Sequence, residues 1–298
     1  MTRMTHALPA LLLAFAGLSP SAPARAAESY DNCTGTIDHL PASITTQGVW
    51  CLKGDLSTAM NSGFAISVLA NNVTIDCNGF KIGGLAAGPV TDAVGIYSND
   101  QQNVVVRNCN LRGFAVGVSL GGYLAAGNVV EDSRFDNNLL QAISVWGPGS
   151  VARHNVAMDS GGGTSAYGVH VFVIGGAEGA SLIDNTISGA ASTPGSNGNV
   201  RGIQSNGGTE GENGGATISG NRISGLVADG TGTVVAIARG GKNGAAIVGN
   251  HLFSNGHGSG ITCGYTDQDS VSGNVILGFA TAIVACPDDG NFIRGTTE

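Results

Sequence analysis

The chain has 298 residues, 49 of them Gly and only 8 Pro; 42% are hydrophobic, 11% are charged, and the net charge is −8. Abundant apolar residues with so little charge exclude a disordered chain, which needs the reverse to stay solvated, and glycines without a three-residue period exclude collagen. The acidic balance repels phosphate backbones, so nucleic acid is not expected as a partner.

Met1-Thr2-Arg3 leads into an apolar run over 7–18 and then Ala24-Arg25-Ala26. A basic start, an apolar middle and a small-x-small cleavage signal predict a secretory signal peptide over 1–26. The apolar run falls short of the roughly 20 residues that span a bilayer, and none later is longer, so no membrane insertion is expected. The mature chain is expected to be secreted or periplasmic. Arg3 and Arg25 leave with the signal and all 21 acidic residues stay, so eleven basic residues face 21 acidic ones, a charge of −10. Six cysteines in an exported chain are expected to be oxidised, and six allow fifteen pairings.

Beyond residue 64 a small residue followed by Ile or Val recurs, at Ile96, Val118, Ile143, Val169, Ile203, Ile237, Ile261 and Ile283. The intervals are 22, 25, 26, 34, 34, 24 and 22 residues. Between these lies a second unit, an apolar residue, Asn or Asp, and an apolar residue, as in Val106-Arg107-Asn108, Ile183-Asp184-Asn185-Thr186-Ile187 and Val248-Gly249-Asn250-His251-Leu252. Each period therefore holds about three short strands, and no stretch has the length and period of a crossover helix. Such a period suits one coil of a solenoid whose strands stack about 4.8 Å apart. Asn tolerates the left-handed backbone of a sharp corner, and stacked Asn side chains can bond as a ladder along the axis.

Asn71-Asn72-Val73-Thr74-Ile75-Asp76-Cys77-Asn78, with the Gly-Ile and Asn-x-Ile units, resembles the right-handed parallel β-helix proteins of the pectate-lyase-like superfamily over residues 65–295. The resemblance implies an all-β, right-handed parallel β-helix solenoid over 65–298, with three short strands per coil and about nine coils. Residues 27–64 would form its N-terminal cap, covering core and strand edges that the open end would otherwise expose. Stacking then sorts the cysteines. Cys77 and Cys109 follow Asp76 and Asn108 at equivalent corners, Cys263 and Cys286 fall in the last two coils, and Cys33 and Cys51 remain in the cap. The expected bridges are Cys33–Cys51, Cys77–Cys109 and Cys263–Cys286, the alternative being one pair of buried thiols.

The superfamily holds lyases, hydrolases, epimerases and proteins without known chemistry, so the site must be argued from residues. The two 34-residue periods carry Gly- and Ser-rich stretches at 188–199, 206–216 and 226–232, expected as loops outside the core. With Ile or Val inward, alternation places Ser144, His170 and Gln204 outward, and Trp146 and Phe172 outward two residues further on. An outward aromatic pair beside polar groups suits a sugar ring. The expected groove is lined by Trp146, His170, Phe172, Gln204 and Arg239, with Arg201 at its edge and Arg239 outward only if its strand has already turned at Gly240. Two arginines would select an anionic sugar.

The resemblance implies, for a lyase, acidic Ca²⁺ ligands with a basic residue, but no Asp or Glu stands in the outward column. For a polygalacturonase it implies separated aspartates and a Gly-His-Gly; Gly256-His257-Gly258 is present, but Gln204 and Ala238 stand where the aspartates would be. His-x-x-x-His and Cys-x-x-Cys spacings are absent, so neither metal nor cofactor is expected. The expectation is a monomeric solenoid that binds a polysaccharide or surface glycan. A polysaccharide lyase or glycoside hydrolase with an atypical site, and a structural or adhesive surface protein, are the alternatives.

Overall fold

The structure, a computed structural model, describes residues 32–295 apart from 165–167, 176–178, 207–214, 242–243 and 265–267. The predicted signal peptide lies outside the described residues. Three sheets hold ten strands each: sheet A from Gly35–Ile37 to Ser270–Ser272, sheet B from Ala42–Ile44 to Thr281–Val284, and sheet C from Leu56–Ser57 to Phe292–Arg294. The chain visits A, C and B in turn, as in Val105–Arg107, Asn110–Arg112 and Val116–Gly121. Each strand pairs in parallel with its counterpart in the neighbouring coil. This is a right-handed parallel β-helix of roughly ten coils. Segment 27–64, expected as a cap, contributes strands to all three sheets.

Sheet B carries the inward stack. Ile66, Ile96, Val118, Ile143, Phe172, Ile203, Ile237, Ile261 and Ile283 are in register, and those from Ile66 to Ile261 are fully buried. The small residue ahead of each has a steric cause. A Cβ on Gly95 would meet the carbonyl oxygen of Gly117 at 2.5 Å and the Leu111 and Phe114 side chains beyond it. The strand bends there, so the small residue and the β-branched residue both point inward.

Val169 does not hold the expected place. It pairs with Val200, three residues before the stack, and Phe172 stands between Ile143 and Ile203. Val171-Phe172-Val173-Ile174 is an unbroken apolar run, so alternation has nothing to read; burying the largest ring decides the register. Val169 and His170 keep their inner and outer places, and the shift moves Phe172 from the outer face into the inward stack.

The corner between sheets A and C separates two roles that the Asn-x-Ile unit merges. Its first residue takes a positive φ, as at Asn108, Asp132, His154 and Asp184 and then at Gly220, Gly249 and Gly273. The second is the ladder. In Asn155, Asn185, Asn221, Asn250 and Asn274, the backbone N–H and side-chain Nδ2 both donate to Oδ1 of the next asparagine, ending on Asn291, at 2.8 to 3.1 Å. Each amide is fully or nearly fully buried through Asn274, so each lost acceptor strands donors away from water.

All three expected disulfides are present, with Cα separations of 5.9 Å for Cys33–Cys51, 4.7 Å for Cys77–Cys109 and 5.1 Å for Cys263–Cys286. They suit an oxidising, extracytoplasmic environment. No helix among the described residues is long and apolar enough to cross a membrane.

Asn221→Leu removes the acceptor of both Asn185 donors. At about 1 to 3 kcal/mol per stranded group, urea unfolding should show a loss of about 2 kcal/mol or more, while exposed Asn255→Ala should stay within about 0.5 kcal/mol of the parent.

Candidate functional site

The outer face of sheet B carries three columns of side chains in register. Val94, Val116, Gln141, His170, Arg201, Val235 and Ser259 border the sheet C corner. Tyr97, Ser119, Ser144, Val173, Gln204 and Ala238 run along the middle. Asn99, Gly121, Trp146, Gly175 and Asn206 form the third. No Asp or Glu stands in any of them.

Trp146 lies over glycine on both sides. A Cβ on Gly175 would fall 2.4 Å from the indole, and one on Gly121 would fall 3.3 Å from it. Its Nε1 donates to Ser144 Oγ at 2.9 Å, which fixes the ring on a half-buried surface. Two coils beyond Trp146 comes a polar row along a single strand. Arg201 Nη1 donates to Gln204 Oε1, and Gln204 Nε2 donates to Asn206 Oδ1, both at 2.7 Å.

His170 sits directly against Arg201 in the first column rather than beside Ser144, where Val173 stands. Burial, and then the Arg201 charge, push its pKa from 6.5 down to about 4. The imidazole is therefore neutral near pH 7, leaving Arg201 as the cation of this polar group. Among the described residues no carboxylate lies within ion-pair distance of Arg201, and its Nε is buried without a hydrogen-bond partner.

Two expected lining residues are elsewhere. Phe172 is fully buried in the inward stack, so Trp146 has no aromatic neighbour there. Arg239 keeps the inward place that alternation assigns it, between Ser205 and Cys263. Its side chain is 1% exposed and its Nε lies 3.4 Å from Asp269 Oδ1. Arg239 Nε and Nη1 and Asp269 Oδ2 lack hydrogen-bond partners. Desolvation outweighs attraction in this pair, lowering the Arg239 pKa and raising that of Asp269.

The long periods are only partly loops. Sheet C strands are six residues long at Val156–Gly161, Thr186–Ala191 and Arg222–Val227, against three at His251–Phe253 and Val275–Leu277. Ala190, in a stretch expected outside the core, is buried in it. The segments that follow, 192–199 and 228–233, stack on each other: Asp229 Oδ2 accepts from the backbone N–H of Gly195 at 2.8 Å and of Asn197 at 3.2 Å, and Thr233 donates through N–H and hydroxyl to Asn199 Oδ1. They form a shelf along the His170–Arg201 border. Much of 206–216 lies outside the described residues.

Where the shelf ends, a cleft of about 670 Å³ opens between Val227, Val235 and His257. His257, of the Gly-His-Gly unit, also lines a neighbouring cleft with Phe253. Sequence reasoning missed one aromatic pair. Phe64 and Tyr97 stack with ring centroids 3.8 Å apart on the same face, and Phe64 fell within the segment read as a cap.

No protein-family model matches the sequence, and no curated protein matches it. Among solved structures, a mutant tailspike protein of E. coli bacteriophage HK620 in complex with a pentasaccharide is similar at TM-score 0.47 and 9% identity, over 89% of this chain and 59% of that chain. The catalytic domain of a GH87 α-1,3-glucanase in complex with nigerose is similar at TM-score 0.36 and 10% identity, over 87% of this chain and 60% of that chain. The chain thus spans about three fifths of each structure's length, and both likenesses concern the fold alone.

Two outcomes follow. Arg239→Met or Asp269→Leu alone strands a buried charge and should cost about 3 to 5 kcal/mol, while the double variant should recover most of it, as urea unfolding would show. The neutral His170 contributes stability that is full above pH 6.5 and lost as pH falls through about 4. In His170→Gln the drop in urea midpoint between pH 7 and pH 4.5 should therefore shrink.

Proposed function

We propose that this protein is an exported glycan-binding β-helix whose site is the outer face of sheet B from Trp146 to Asn206, and that it selects an anionic, uronate-type sugar. The observation that carries the reading is Arg201, a half-buried cation on an acidic chain with no carboxylate partner among the described residues and an unsatisfied buried Nε. Burying part of a guanidinium without an anion costs free energy that a ligand carboxylate would offset by charge-assisted hydrogen bonds.

The neighbours suit the rest of a sugar. Trp146 offers a ring fixed by its bond to Ser144, against which the apolar face of a pyranose packs. Gln204, Asn206 and neutral His170 supply donors and acceptors for hydroxyls. Coils stack about 4.8 Å apart, so successive sugars along the axis meet successive residues of one column. The shelf walls the border on which His170 and Arg201 stand.

Oligogalacturonate should shift the amide resonances of the sheet B strands and raise the melting temperature, and its neutral counterpart should do so less. Arg201→Ala should weaken uronate binding about tenfold, the scale of one charge-assisted pair, and remove most of its salt dependence. Trp146→Ala should weaken both ligands. If neither ligand changes spectrum or melting temperature, the structural or adhesive reading replaces this one.

A further inference from the structure

We infer that the glycan bound on this face carries an N-acylated amino sugar next to its uronate, with the acyl group seated in a cleft at the corner between sheets C and B. The inference rests on the glycan reading above and names a substituent that the reading leaves open.

The cleft holds about 300 Å³, with Pro89, Val90, Leu139 and Leu140 as its apolar wall and Asp92 at its rim. It opens on the border of the proposed site. Leu140 precedes Gln141 of the first outward column, and its carbonyl accepts the backbone N–H of His170 at 3.0 Å. Asp92 lies two residues before Val94 of the same column.

Both hydroxyls that line the cleft are already engaged, and one carboxylate is not. The Thr91 hydroxyl donates to the Met60 carbonyl at 2.9 Å and accepts from the Ala93 N–H at 3.1 Å. Thr164 donates its backbone N–H to the Pro89 carbonyl at 3.0 Å, and its hydroxyl turns to the same oxygen. The Asp92 carboxylate is exposed and has no side-chain partner among the described residues.

The side chains of the cleft therefore suit an occupant that combines an apolar group with a hydrogen-bond donor. An N-acyl group does so: its methyl packs against Val90, Leu139 and Leu140 while its amide N–H donates to Asp92. A plain hydroxyl leaves the apolar wall unfilled, and a free amine satisfies Asp92 but brings a hydrated charge to that wall. Position supplies the rest. A sugar over Gln141 lies one coil from His170 and two from Arg201, so a uronate over His170, its carboxylate turned to Arg201 in the coil beyond, is the next sugar in the chain.

The test uses the full-length protein and calorimetry with three probes: a hyaluronan hexasaccharide, which alternates uronate with N-acetylhexosamine; the same oligosaccharide with its acetyl groups removed to free amines; and oligogalacturonate. The acetylated form should bind about tenfold more tightly than the amine form, the low end of what one methyl or methylene in a fitted pocket is worth. Val90→Ser and Asp92→Ala should each shrink that gap while leaving oligogalacturonate affinity unchanged. Val90 is 61% exposed and Asp92 is exposed, so both variants should keep the parent melting temperature.

Equal affinity for the acetylated and amine forms, with oligogalacturonate still bound, overturns the acyl cleft and leaves the glycan reading standing. Tighter binding of the amine form, lost in Asp92→Ala, makes the cleft an amine site and overturns the inference as well. Binding of none of the three overturns the glycan reading itself.

Discussion

Backbone hydrogen bonding between coils is the constraint on which the rest of this molecule depends. A strand here has no partner within its own coil, so every residue's closest neighbour is its counterpart about 4.8 Å away in the next one. Whatever stabilises the chain must repeat along columns. The inward Ile and Val column fills the interior, the asparagine column satisfies the corner, and Cys77–Cys109 joins consecutive coils at a Cα separation of 4.7 Å. The outer face of sheet A obeys the same rule. Asp76, Arg107, Glu131 and Arg153 stand in register, and Arg107 meets Asp76 at 2.8 Å while Arg153 meets Glu131 at 2.6 Å.

The candidate site is where this lattice is locally extended without being broken. Three sheet C strands are twice as long as those on either side, and the segments beyond them bond to each other coil to coil through Asp229, Asn197 and Asn199. Because the added chain continues the stacking rule, the shelf is ordered structure with satisfied polar groups. It desolvates the border of sheet B beside it, and the depressed pKa of His170 registers that desolvation. The clefts fall where strand length changes from coil to coil, since a long strand beside a short one leaves an edge uncovered.

Charge follows the same geometry. Lys81, Arg107, Arg134 and Arg153 each rest on a carboxylate, and Arg239 is drawn inside against Asp269. Arg201, like Arg112 and Arg222, has no ion pair among the described residues: those in register with it are His170 and Val235, so the lattice brings it no anion. A cation without a partner on a face free of Asp and Glu is conspicuous in a chain of net charge −8.

The sequence by itself determined the solenoid, its strand count per coil, the cysteine pairing and most of the inward stack. These follow from a period, and a period is a one-dimensional property that one-dimensional reading can measure. It also placed Trp146, Arg201 and Gln204 on the outer face, because each sits in a strand where polar and apolar residues alternate. Only the tertiary structure decided the coil of Phe172. Gly168-Val169 and Val171-Phe172 lie three residues apart, the second opening an apolar run, and the neighbouring coils bury the Phe172 ring between Ile143 and Ile203. It decided Arg239 too, since an inward cation is tolerable only where a carboxylate waits inside, and Asp269 is supplied by a corner 30 residues further along. The shelf, the clefts and the Phe64–Tyr97 stack belong to the same class. Each arises from the relation between coils of unequal length, and that relation is set by pairing in space rather than by spacing along the chain.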